Sequence, residues 1–131
     1  MKYIISWKEF SDDVVILAER LKSTKVLAKN IYGVPRGGLI PAVMLSHLTG
    51  LPLITSSRFI SNETIVVDDI IDTGHTLKRL LARKKPLAVA SVWYHPKAVI
   101  KPDFYVNLKK TEDWLVFPFE TIKSSKYDKT V

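Results

Sequence analysis

Two carboxylates stand side by side at Asp68-Asp69, and a third follows at Asp72, directly before Thr73-Gly74-His75-Thr76. Val66-Val67 precede the acidic pair and Ile70-Ile71 separate it from Asp72. Adjacent carboxylates in such an apolar setting are costly unless a cation or hydrogen-bond donors meet them. On an extended strand they point to opposite faces, so each needs its own partner. Residues 73–76 offer hydroxyls, a glycine and the backbone N–H groups of a helix start, the ingredients of an anion cradle. Carboxylates beside an anion cradle conflict unless the ligand carries both hydroxyls and a phosphate, as a ribose 5-phosphate does. The carboxylates would take the sugar hydroxyls and a Mg²⁺, and the loop would take the phosphate. The plainer alternative is a turn whose Asp and Thr side chains only cap a helix. The hydrophobic spacing around the acids makes the full pattern far rarer by chance than Asp-x-x-Thr-Gly alone.

A second candidate is Val34-Pro35-Arg36-Gly37-Gly38, a stretch that no strand or helix interior would choose. Its glycines let backbone N–H groups approach a polyphosphate closely, and Arg36 adds a charged fork. Alone, Arg-Gly-Gly is better read as a simple turn. Trp114, after the polar run 109–113, is a third candidate, either plain core or a flat surface for a planar ligand.

Strands alternating with helices must position these residues. Ser11-Asp12-Asp13 reads as a helix start, followed by an apolar face of Val14, Val15, Leu17, Ala18 and Leu21. Strands are expected at 30–34, 52–56, 65–68 and 87–94, helices at 39–48 and 76–83, and short extended pieces at 104–108 and 115–119. Gly50 is the expected cap of the second helix. Residues 58–64 read as a short polar turn. The alternation predicts an α/β fold, a parallel twisted sheet with helices on both faces. Ligands of such sheets bind beyond the C-terminal ends of the strands, after Val34, Val67 and Tyr94.

Composition bounds the function. A chain of 131 residues with 47% apolar residues suits a single domain over 1–131, with 121–131 as a loosely ordered tail. No cysteine is present, which excludes disulfides and thiolate metal sites. No apolar run approaches the roughly 20 residues of a membrane span. The two Ile near the start are too few for a signal-peptide core, so a cytoplasmic protein without membrane partners is expected. The net charge of +7 suits polyphosphate substrates or nucleic acid. Much of it is local, in Lys78, Arg79, Arg83, Lys84 and Lys85 and in Lys123, Lys126 and Lys129. No aromatic residues interleave these charges as stacking platforms, so a solvated helix face is the better reading than a nucleic-acid surface.

The twelve residues Val66-Val67-Asp68-Asp69-Ile70-Ile71-Asp72-Thr73-Gly74-His75-Thr76-Leu77 resemble the phosphoribosyl pyrophosphate motif of type I phosphoribosyltransferases. Residues 34–38 resemble the pyrophosphate loop of the same family, one strand and helix upstream. The resemblance is strongest to bacterial xanthine–guanine (6-oxopurine) phosphoribosyltransferases. It extends to Lys2-Tyr3-Ile4-Ile5-Ser6-Trp7, to Pro102-Asp103-Phe104-Tyr105-Val106 and to Trp114-Leu115-Val116-Phe117-Pro118-Phe119-Glu120. It implies transfer of a 5-phosphoribosyl group to a purine, with Mg²⁺ as cofactor and phosphoribosyl pyrophosphate and a purine base as partners. It also implies a homo-oligomer, dimer or tetramer.

Carried over residue by residue, it implies that Arg36, Gly37 and Gly38 hold the pyrophosphate. Asp69 serves the metal, with Asp68 beside it on a ribose hydroxyl. Asp72, Thr73, Gly74, His75 and Thr76 hold the 5′-phosphate, and Asp72 is also the candidate general base for the purine N7 proton. Trp114 becomes the stacking surface and the Leu115 backbone contacts the base edge. The family's pyrophosphate loop can hold a strained non-proline cis bond, here flagged at Arg36–Gly37.

Two departures stand out. The family's lysine for the purine 6-oxo group falls at His95, with Lys97 two residues later, so either His95 donates or Lys97 reaches in. The family's long mobile hood is replaced by the seven residues 58–64, a minimal hood. Two other function classes are therefore carried forward: a phosphoribosyl pyrophosphate- or nucleotide-binding regulatory module with little catalysis, and a nucleic-acid-binding protein.

Overall fold

The computed structural model describes residues 2–121. In chain order the elements are β1 (Lys2–Ile4), α1 (Trp7–Arg20), β2 (Asn30–Gly33), α2 (Leu39–Thr49), β3 (Leu53–Ile54), a 3₁₀ turn (Ser57–Phe59), β4 (Thr64–Ile71), α3 (His75–Leu80), β5 (Ala88–Tyr94), β6 (Phe104–Leu108) and β7 (Trp114–Val116). The main sheet runs β3-β2-β4-β5-β6 with every neighbouring pair parallel, and β1 pairs parallel with β7 as a separate ribbon.

The pleat sends alternate residues to opposite faces of the main sheet. Ile31, Ile65, Val67, Ala90 and Val92 meet Phe10, Val14 and Leu17 of α1 and Ala42 and Leu45 of α2. Tyr32, Val34, Val66 and Val89 face the other way and pack with Leu77 of α3 and Ile60. Strands buried on both faces read as continuous apolar runs, which is why β4 and β5 are so rich in Val, Ile and Ala. The expected α/β architecture with helices on both faces is the one observed.

Several boundaries differ from the expectation. α1 starts four residues before Ser11, because Ser6 caps it: the Ser6 hydroxyl accepts the Glu9 N–H at 3.0 Å. Ser11-Asp12-Asp13 therefore lies inside the helix. Val15 is exposed, and Phe10 takes its place on the buried face. β4 runs on through Ile71 because β5 pairs beside it to Tyr94. α3 ends at Leu80, short of the expected Arg83. β3 and β7 are shorter than expected, and Pro118, which has no N–H, follows close behind β7. β1 was not expected at all. The loosely ordered tail falls, but for Thr121, outside the described residues, as do Lys123, Lys126 and Lys129. No helix among the described residues is long and apolar enough to cross a membrane.

Candidate active site

The chain leaves β2 toward one edge of the sheet, builds β3, and returns on the other side of β2 as β4. The strand order therefore reverses between β2 and β4, the place where open α/β sheets bind ligands. β2 stops pairing at Gly33↔Val67, while β4 continues beside β5 to Ile71↔Tyr94. The unmatched length of β4 forms one wall of a cavity of about 450 Å³. Pro35 and Gly37 line it from the β2 side; Asp68, Asp69, Asp72, Thr73, Gly74 and Thr76 line it from β4 and the following loop. A larger groove of about 780 Å³ follows the edge strand β6, but none of the residues given a catalytic or binding role from the sequence lines it.

The two carboxylates are held by their own chain. Asp68 Oδ1 accepts the Asp69 N–H at 2.9 Å, and Asp69 Oδ1 accepts the Ile70 N–H at 2.8 Å. Asp69 is buried and Asp68 half-buried. A β-carbon at Gly37 would stand 2.0 Å from Asp69 Oδ2, so the carboxylate rests directly on the glycine of the 35–38 turn. The cis peptide bond lies at Pro35–Arg36, one bond earlier than flagged from the sequence. The Gly38 N–H is spent inside the turn on Val34 O at 2.8 Å, and Arg36 is exposed. Gly37→Ala is therefore expected to displace Asp69 or the turn. If the cavity holds phosphoribosyl pyrophosphate, as the resemblance implies, affinity for it should fall about tenfold or more, the scale of one lost charge-assisted contact. Calorimetric titration reads this directly, and unchanged affinity would show that the contact is irrelevant to binding.

The loop after β4 is fixed from outside. Thr73 O accepts the Val99 N–H at 2.9 Å, and Thr73 Oγ1 accepts the His75 N–H at 3.3 Å. Gly74 has φ 83°, and a β-carbon there would come within 3.0 Å of Ile100 N. Only glycine accepts both demands. Asp72 projects half-exposed from this loop, and Lys109 Nζ donates to its Oδ2 at 3.1 Å.

The phosphoribosyl transferase domain pattern matches residues 52–123, over half of the chain. The chain belongs to the phosphoribosyltransferase family. A solved purine phosphoribosyltransferase from Pyrococcus horikoshii is 32% identical, with a TM-score of 0.78 over 92% of this chain and 94% of that one. The xanthine-guanine phosphoribosyltransferase of Gluconobacter oxydans is 28% identical over 89% of this chain and 83% of its own. The xanthine-guanine-hypoxanthine phosphoribosyltransferase of Helicobacter pylori, 21% identical with a TM-score of 0.72, shares the fold over 89% of this chain and 92% of that one. These matches bear out the resemblance carried by residues 66–77, and the protein is an enzyme of this class.

The four residues that the resemblance assigns to the base in this phosphoribosyltransferase, Trp114, Leu115, His95 and Lys97, are not among those lining the cavity. Trp114 is half-buried in β7, with the Lys2 ammonium 5.4 Å from its ring centre. The Leu115 side chain belongs to the core. Lys97 is exposed, and its N–H donates to His95 Nδ1 at 3.1 Å. The other ring nitrogen, Nε2, must then carry the proton that it gives to Glu112 Oε1 at 3.1 Å. That hydrogen bond holds the Glu112 carboxyl below its ordinary range.

Three further residues of the phosphoribosyltransferase were missed from sequence. Arg79 lines the cavity, three residues after Thr76 and so on the same helix face, yet it was hidden in a basic run. Glu120 also lines the cavity, and its Oε1 accepts the Phe117 N–H at 2.9 Å. Lys109 is buried against Asp72, and no local signal marks it.

Proposed function

We propose that the chain moves the 5-phosphoribosyl group of phosphoribosyl pyrophosphate to a ring nitrogen of a 6-oxopurine (xanthine, guanine or hypoxanthine), in purine salvage. The bond from the ribose C1 to the pyrophosphate oxygen breaks, the bond from C1 to the purine nitrogen forms, and pyrophosphate leaves. One observation carries this reading: Asp68, Asp69, Asp72, Thr73, Gly74 and Thr76 meet Pro35 and Gly37 in a single cavity at the sheet's switch point, with Arg36, Gly38 and His75 outside its lining. A ligand with ribose hydroxyls between two phosphate groups matches that layout.

In this reading Asp68 accepts a ribose hydroxyl, and the hydroxyls and N–H groups of Thr73, Gly74, His75 and Thr76 hold the 5′-phosphate. Arg36, Gly37 and Gly38 hold the pyrophosphate. Asp72 takes the proton from purine N7 as general base. Trp114 stacks on the base, the Leu115 backbone meets its edge, and His95 and Lys97 close that end of the site.

Among the described residues, no group of three or more His, Asp or Glu side chains gathers as a metal cage. Mg²⁺ fits such a site, since it is ordinarily held by one or two carboxylates with water and substrate oxygens completing its shell. Asp69, with Asp68 beside it, would hold the ion. An ion held there would supply positive charge to offset that of the leaving pyrophosphate. The reading places the protein in the cytoplasm as a homo-oligomer, and the short 55–63 connection leaves its site open to water. Nucleic acid has no part in it.

Purine bases offered singly with phosphoribosyl pyrophosphate and Mg²⁺ test the proposal, with nucleotide formation as the readout. Nucleotide from a 6-oxopurine supports it. Tight Mg²⁺-dependent binding with no nucleotide from any base would favour the regulatory-module reading instead, which the short connection also suits. Trp114→Ala should weaken purine binding by roughly 1–3 kcal/mol and leave phosphoribosyl pyrophosphate affinity nearly unchanged. If Trp114 serves only the packing of β7, the melting temperature falls and both ligands suffer together.

A further inference from the structure

Resting on the proposed transfer reaction, the geometry points to Lys109 as the residue that reads the oxygen at purine C6. Three strands of the main sheet end in one row, with Ile71, Tyr94 and Leu108 in register across β4, β5 and β6. Asp72, His95 and Lys109 each stand one residue past that row. The His95 N–H is bound to Ile71 O at 2.9 Å and the Lys109 N–H to Tyr94 O at 2.8 Å, so the row continues beyond the strands. From the far strand, Lys109 reaches across the end of β5 to Asp72, with Nζ 3.1 Å from Oδ2. Its side chain is 9% exposed, against 48% for Asp72.

A lysine this buried is uncommon, because removing an ammonium from water is costly. Here the charge sits beside the carboxylate assigned to the purine N7 proton. N7 and the C6 substituent are neighbours on one edge of a purine. A base that gives its N7 proton to Asp72 therefore brings its C6 substituent next to the ammonium. An ammonium has three donors and no acceptor, and Asp72 takes one of them. Lys109 and Asp72 together form a donor–acceptor pair that complements a 6-oxopurine, which offers an acceptor at O6 and a donor at N7–H. A 6-aminopurine would turn an amino donor against a cation, with neither group satisfied.

The two residues that the sequence places nearest this role are less suited to it. The His95 ring uses one nitrogen to accept from Lys97 N and the other to donate to Glu112. Lys97 is exposed. Lys109 supplies the missing lysine from a different strand end.

The test compares hypoxanthine with adenine, each with phosphoribosyl pyrophosphate and Mg²⁺, in the wild type, Lys109→Met and Lys109→Arg. The wild type should favour hypoxanthine. In Lys109→Met, kcat/KM on hypoxanthine should fall about 10- to 100-fold, the loss of one hydrogen bond from a charged group, mainly through KM. Adenine use should stay or rise, and phosphoribosyl pyrophosphate affinity should hold. Lys109→Arg should recover part of the loss, since a guanidinium also only donates. Asp72 is half in water, so removing the ammonium leaves no deeply buried charge behind to unfold the chain. Equal losses on both bases, or an unchanged hypoxanthine-to-adenine ratio, would overturn the assignment to Lys109. If the wild type forms no nucleotide from any base, the transfer reaction itself is wrong. Calorimetric binding of the two bases to wild type and Lys109→Met then decides the Lys109 assignment, and a shared preference refutes it.

Discussion

Replacing Asp68 and Asp69 together by Asn is expected to abolish Mg²⁺-dependent binding of phosphoribosyl pyrophosphate and to leave the fold intact. Both carboxylates use one oxygen to accept the next residue's N–H, and an amide oxygen can accept those same bonds. The end of β4 should therefore keep its shape, and the apolar core on either side is untouched. What the amides lose is charge. They attract a divalent cation and its polyphosphate far more weakly than two carboxylates do. Titration of the double variant with phosphoribosyl pyrophosphate, with and without Mg²⁺, should give no binding enthalpy, with a melting temperature close to that of the wild type. Wild-type affinity in the double variant would remove this cavity from the account.

The second large effect comes from what joins β3 to β4. The connection is a closed turn. Ser57–Phe59 make one 3₁₀ turn, Ile60 is buried, and the Ser61 N–H is bound to Thr64 Oγ1 at 3.0 Å. Arg58 lies over the Phe59 ring at 5.2 Å, and Phe59 is largely exposed. Nothing in this stretch is long enough to close over two substrates. A lid excludes water and completes the site during the chemistry, whereas the groups proposed to hold the ground state are present here. Only interactions that strengthen in the transition state set the chemical rate. Turnover on any 6-oxopurine is therefore expected to lie well below that of a hooded phosphoribosyltransferase assayed beside it, while phosphoribosyl pyrophosphate still binds well. Slow Mg²⁺-dependent release of pyrophosphate should also occur without a base, because water enters. Fast turnover with negligible hydrolysis would contradict this and show that a second subunit supplies the cover.

The parts of the molecule that were legible in the sequence are those specified locally. The acidic pair and the 72–76 loop carry their chemistry in consecutive residues, and Gly50 marks the end of α2 with a left-handed φ of 78°. β2, α2 and β6 fall where the periodicity puts them. Contacts between distant parts of the chain were not legible. β1 exists because Lys2–Ile4 pairs with Trp114–Val116, and three residues at one end of a sequence carry no sign of a partner at the other. Lys109 stands beside Lys110 and reads as surface charge, until the register of β4, β5 and β6 turns it inward onto Asp72. The start of α1 was legible in principle, since Ser6 and Glu9 have the spacing of a helix cap. Ser11-Asp12-Asp13, a stronger-looking version of the same signal, masked it.

The most direct measurement mixes the protein with phosphoribosyl pyrophosphate, Mg²⁺ and hypoxanthine, and quantifies hypoxanthine nucleotide and pyrophosphate in the same reaction. The wild type should release one pyrophosphate for each nucleotide formed, above the slow background seen without base. A chelator, or the Asp68→Asn, Asp69→Asn double variant, should remove both products. Nucleotide formation that persists in the double variant, or none from the wild type while phosphoribosyl pyrophosphate binds tightly, would contradict the account.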